Sequence, residues 1–118
     1  MKPEIKSLHS PDVFDLAAYQ PNEKNNFGFL LEVEIGILGQ EGADLFFFMI
    51  CTSEWFTNFN KNKNVVFGSH YIFMFEYDYT ILRNVLLAYI DNIEQDTWTE
   101  IAAKLNRIGK WEFEDYKP

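Results

Sequence analysis

The spacing of apolar and polar residues changes several times along the chain, and each change marks an element. Phe27, Phe29, Leu31, Val33, Ile35 and Ile37 alternate with Gly28, Glu32, Glu34 and Gly36. A period of two predicts a strand with one buried face. Gly39-Gln40-Glu41-Gly42 then reads as a hairpin turn, because glycine supplies the positive φ such turns need. Leu45 to Cys51 is apolar at every position. That predicts a central strand with something packed on each side, or with a partner on one. Thr52 or Ser53 can cap a short helix through Trp55, Phe56 and Phe59. Asn58 to Asn64 is polar and reads as a loop tip. Tyr71, Phe73, Phe75 and Tyr77 alternate with Ile72, Met74 and Glu76, which predicts a second near-continuous strand.

Asp78 is placed to cap a longer helix with Ile81, Leu82, Val85, Leu86, Tyr89 and Ile93 on its inner face. Thr97 and Glu100 have the spacing of a capping box for a further helix. Trp98, Ile101, Ala102, Leu105 and Ile108 share one face of it, and Lys104 and Arg107 suit the dipole of its last turn. Gly109 fits a left-handed stop. Trp111 and Phe113 then alternate with Glu112 and Glu114, so a closing strand carries an acidic solvent side. Residues 2–10 read as a first strand, although Ile5 and Leu8 do not share a face in a regular one. Residues 11–26 read as a loop. The expected fold is α+β: one domain over residues 1–118, with a mainly antiparallel sheet of four to five strands. Two longer helices and one short helix pack on one face of that sheet.

Composition sharpens this picture. A chain of 118 residues with 47% hydrophobic content can bury roughly two-thirds of its unfolded surface, so a folded core is expected. The 18% aromatic content implies a core or a contact surface rich in flat side chains. A net charge of −8 argues against direct binding to nucleic acid, which relies on basic patches. It suits an inhibitor of a basic protein, because opposite charge speeds encounter. The longest apolar run is too short to span a membrane. Met1-Lys2-Pro3-Glu4 has charge but no apolar h-region, so a cytoplasmic location is expected.

Candidate chemistry is sparse. Cys51 is the only cysteine and lies in an apolar run without cationic neighbours to lower its pKa. His9 and His70 lack the spaced ligand set of a metal site. Neither a phosphate loop nor a nucleophile elbow is present. Glu4-Ile5-Lys6 and Pro11-Asp12 hold the ingredients of a metal nuclease site in the wrong order. Asp78, which with Glu76 could hold a hard cation, is better explained as a helix cap. No catalytic residue, metal or cofactor is expected. The acidic residues Glu76, Asp91, Glu94, Asp96, Glu112, Glu114 and Asp115 flank helix ends or the closing strand. Tyr77, Tyr79, Tyr89 and Tyr116 are amphipathic, and tyrosine beside carboxylates is typical of protein interfaces.

These residues together resemble the immunity protein 8 family of bacterial polymorphic-toxin and contact-dependent inhibition systems. The resemblance is carried by the opening Lys2-Pro3-Glu4-Ile5-Lys6-Ser7-Leu8-His9-Ser10, by Asn26-Phe27-Gly28-Phe29-Leu30-Leu31 and by Cys51-Thr52-Ser53-Glu54-Trp55. It continues through Phe75-Glu76-Tyr77-Asp78-Tyr79 and the ending Ile108-Gly109-Lys110-Trp111-Glu112-Phe113-Glu114-Asp115-Tyr116, its most specific part. It implies a small, non-catalytic antidote that blocks a cognate toxin C-terminal domain, a nuclease with a basic cleft being one such toxin. The expected partner-binding residues are Glu76, Tyr77, Tyr79, Asp91, Asp96, Glu112, Glu114 and Tyr116. The protein is expected to be a monomer or homodimer without nucleic-acid, membrane or cofactor partners. Two rival readings are an assembly module unrelated to toxins, using an exposed sheet edge, and a small hydrolase using Cys51 or Glu76 with Asp78.

Overall fold

The computed structural model describes residues 1–115. Strands β1 (Pro3–His9), β2 (Gly28–Ile37) and β3 (Asp44–Cys51) are followed by helix α1 (Ser53–Phe59) and strand β4 (Tyr71–Phe73). Helices α2 (Tyr79–Asp91) and α3 (Trp98–Leu105) and strand β5 (Lys110–Trp111) complete the order. The five strands form one mixed sheet in the order β1-β2-β3-β4, so the α+β architecture expected from the pattern is the one observed. The two short strands share the outer edge of β3. β5 lies antiparallel against Phe46 and Phe47, and β4 runs parallel beside Met49–Cys51.

Alternation along β2 and β3 sets the core. Phe29, Leu31, Val33 and Ile35 face it from β2, and Phe46, Phe48 and Ile50 from β3. Leu82, Leu86 and Ile90 of α2 and Ile101, Ala102 and Leu105 of α3 close over them. In β1 the register shifts between Ile5 and Ser7, so that Ile5 pairs with Ile35 and Leu8 with Val33. The extra residue of this bulge puts both apolar side chains on the core face, which a regular strand cannot do. The hairpin between β2 and β3 uses Gly39 and Gly42 at φ 79° and 93°.

Several expectations are corrected. The helices do not share one face: α1 sits on the opposite side of the sheet, with Trp55 packed so closely over Gly28 that a Cβ there would lie 2.3 Å from the indole. The second near-continuous strand ends at Phe73 instead of Tyr77. Its partner β3 finishes at Cys51, whose carbonyl accepts the last ladder bond from Met74 N–H at 2.9 Å, and nothing remains to pair with. The closing strand ends at Trp111, where Glu114 N–H turns back to the Trp111 carbonyl at 3.0 Å. Helix α3 stops at Leu105, so Arg107 and Ile108 lie beyond it. Gly109 is not a left-handed stop, since the positive-φ glycines are Gly39 and Gly42. A Cβ at Gly109 would instead meet the Phe48 ring at 2.3 Å. Half of the capping box forms: Thr97 Oγ1 accepts from Glu100 N–H at 3.2 Å, while the Glu100 carboxylate accepts the Thr97 hydroxyl at 2.9 Å.

One carboxylate ties the end of the fold together. Asp44 Oδ2 accepts the indole N–H of Trp98 at 2.7 Å and of Trp111 at 2.9 Å. The start of β3, the first turn of α3 and β5 are thereby joined at a single atom.

Candidate partner-binding surface

The aromatic surplus divides between the core and one edge of the sheet. On α1, Trp55 and Phe59 are four residues apart and therefore neighbours, with rings stacked at 4.7 Å. Phe56 stands edge-on to Tyr71 at 5.0 Å and to Phe73 at 5.3 Å. Tyr71 and Phe73, two apart on β4, point to the same side and stack at 5.8 Å. These rings form a shelf beside β4. Phe59 and Phe73 are 65% and 50% exposed, and Phe75 just beyond is 97% exposed.

The other side of β4 is also apolar. A groove of about 340 Å³ runs between residues 72–76 and the flank of α2, where Ile81 and Val85 are each 58% exposed. It meets a second groove of about 260 Å³ that reaches Tyr89, and the two share Ile72 and Val85. The inner face expected for α2 is thus split. Leu82 and Leu86 face the core, together with Ile90, and Ile93 is buried just past the helix end. Ile81, Val85 and Tyr89 form an outward stripe at spacing four. Contiguous exposed apolar surface of this kind marks an interaction site more often than an isolated exposed side chain does.

The residues expected from sequence to bind a partner do not form one face. Glu76, Tyr77 and Tyr79 lie where β3 ends. Asp91 and Asp96 lie near the chain start: Asp91 shares a recess with Lys2 and Pro3, and Gln95 N–H donates to the Met1 carbonyl. Glu112 follows β5, its carboxylate accepting Leu45 N–H at the start of β3, and Glu114 is two residues further on. The eight residues of β3, at about 3.3 Å each, put the two groups roughly 25 Å apart.

Glu76 is exposed at the mouth of the larger groove, 3.3 Å from Lys24. Tyr77 is turned inward. Its hydroxyl donates to the Leu16 carbonyl at 2.5 Å, and its ring meets Tyr19, Phe27 and Phe29 edge-on. Burial, helped by Tyr79, Tyr19, Asp15 and Asp78, pushes its pKa up to about 12. Tyr79 is half-buried at the start of α2, beside a recess formed by residues 8–17. Tyr116 lies outside the described residues. Sequence reasoning missed Phe59, Phe73, Phe75, Ile81 and Val85 as surface. The signal available was an apolar arc on α2 wider than one core face requires.

The residues weighed for catalysis are occupied otherwise. Cys51 is fully buried, and that burial pushes its thiol up to about 11, so the thiolate is scarce at neutral pH. His70 Nε2 is held 2.9 Å from the Asn106 carbonyl. Asp78 caps α2 by accepting Ile81 N–H at 3.1 Å. Among the described residues, no group of three or more His, Cys, Asp or Glu side chains could hold a metal ion. None of the helices formed by these residues is long and apolar enough to cross a membrane.

Residues 3–116 match the family model for Immunity protein 8, so the chain belongs to that family. No curated protein and no solved structure matches it.

Proposed function

We propose that this protein is an antidote that binds the toxin domain of its own system and neutralises it by covering a basic working surface. Membership of the immunity protein 8 family is the observation that carries this reading. The exposed aromatic and aliphatic edge around β4 supports it, because binding sites concentrate aromatic anchors in desolvated patches. Phe73, Phe75, Ile81 and Val85 make the apolar contact, with Glu76 at its rim. Asp91, Asp96, Glu112 and Glu114, at the other end of the sheet, add to the negative field that draws a basic partner in. Tyr77 supports the fold beneath this surface. A nuclease cleft, basic because it holds phosphates, is the kind of target that suits an inhibitor of net charge −8. The working location is the cytoplasm, and the protein acts without catalysis or cofactor.

Co-expression in a sensitive bacterium tests the reading. The toxin domain encoded beside this gene is expressed with and without the protein. Restored growth and co-purification of the pair are expected. Persistent killing, with no complex recovered, would overturn the antidote role.

A further inference from the structure

We propose that a basic partner docks at the free edge of β4 and adds an extended apolar segment to the sheet there. The inference rests on the antidote reading, and the partner is the cognate toxin domain. The backbone of β4 offers the means. His70 C=O accepts from Met49 N–H, and Met74 N–H donates to Cys51 C=O, both at 2.9 Å. Polar backbone groups alternate sides along a strand, so those of Ile72 face β3 and those of Tyr71 and Phe73 face outward. Among the described residues β4 has no neighbour but β3. Sheet edges are commonly protected by charge, proline or a bulge. Tyr71 to Phe75 carries neither charge nor proline.

Both surfaces flanking this edge are apolar. Side chains of an added strand would alternate between the groove of Ile72, Met74, Ile81 and Val85 and the shelf of Phe56, Tyr71 and Phe73. The segment that fits is therefore apolar on both of its faces.

Charge chooses between a second copy and a different partner. Glu76 is exposed at the mouth of the groove with Lys24 3.3 Å from it, Glu54 and Asp78 are exposed at the starts of α1 and α2, and Arg107 lines the adjoining groove. Lys61 and Lys63 stand on the loop after α1. A second copy would bring the same carboxylates and its own net −8, and would be repelled. A basic protein would place lysine or arginine beside those carboxylates.

Amide hydrogen exchange, followed residue by residue in the free protein and in its complex with the purified toxin domain, tests this. The Tyr71 and Phe73 amides should exchange freely alone and slow at least tenfold in the complex. Val85→Asp, at an exposed position that should leave the fold intact, should weaken toxin binding at least tenfold with an unchanged melting temperature. A tight complex in which both amides keep their free rates, or which V85D leaves unaffected, overturns the edge and keeps the antidote role. Absence of any complex with the wild-type protein overturns both. Slowing of the two amides without toxin, accompanied by a dimer in sedimentation, would make a second copy the occupant and overturn the proposal.

Discussion

Replacing Asp44 by alanine isolates the joint between the two halves of the chain. Its Oδ2 accepts two indole N–H groups, from Trp98 at 2.7 Å and Trp111 at 2.9 Å. Hydrogen bonds to a charged group contribute about 1.5–3 kcal/mol each, and removing the acceptor leaves both donors to find water or go unpaired. Both indoles are half-buried, so water replaces part of what is lost. The expected loss is about 2–4 kcal/mol. Unfolding a chain of 118 residues carries an entropy that converts 1 kcal/mol into about 4 °C, so the melting temperature should fall by roughly 8–16 °C. Asp44→Asn keeps one carbonyl acceptor without the charge and should lose about 1 kcal/mol. Urea denaturation followed by tryptophan fluorescence reads both variants, because the two affected indoles are themselves reporters. D44A within about 0.5 kcal/mol of wild type would refute the claim that this carboxylate holds α3 and β5 to the hairpin.

Three further outcomes follow from the same geometry. The Cys51 thiol, at about 11, should react with a disulfide reagent at pH 8 at least a hundredfold more slowly in the native protein than in urea; equal rates would show that the site is open. Tyr77 has a folded pKa raised to about 12 from 10, so its contribution is fully present below about pH 10 and is lost as pH rises towards 12. Alkaline titration of stability should show that loss, and Tyr77→Phe, missing the bond to the Leu16 carbonyl, should start about 1 kcal/mol lower and fall less steeply. Reversing Asp91, Asp96 and Glu114 together to lysine should slow toxin association severalfold at low salt while leaving dissociation nearly unchanged; a change confined to dissociation would place these carboxylates in the contact itself.

Local features of the fold were legible, and features that depend on a distant partner were not. The β2–β3 hairpin shows in the alternation of Phe29, Leu31, Val33 and Ile35 and in the glycines at 39 and 42. The caps at Thr97 and Asp78 act within three residues and are visible in the spacing. β1 resisted reading because the bulge that aligns Ile5 with Leu8 appears only when β2 is beside it. The length of β4 is set by where β3 ends, which Tyr71–Tyr77 cannot reveal. The sequence around Gly109 suggests a backbone role, whereas its constraint is the Phe48 ring, some 60 residues away in sequence.

The surface was harder to read for the same reason. An apolar arc spanning Ile81, Leu82, Val85, Leu86 and Tyr89 does not say which part the core will take. Helix α2 gives Leu82 and Leu86 to the core and leaves the rest outside. The acidic residues look like one cluster in sequence, because Glu76 to Glu114 is a short span of chain. Helix α2 carries that span from one end of the sheet to the other, so Glu76 and Glu112 finish at opposite ends. Family membership came through because it rests on many short segments together, none of which depends on knowing the contacts.

The most direct test of the antidote claim is a titration of purified toxin domain with purified protein, with the toxin's own activity as the readout. The account predicts that activity falls linearly to zero at one equivalent, with an isolable complex of the two chains. Full toxin activity at a tenfold excess of the protein would contradict it.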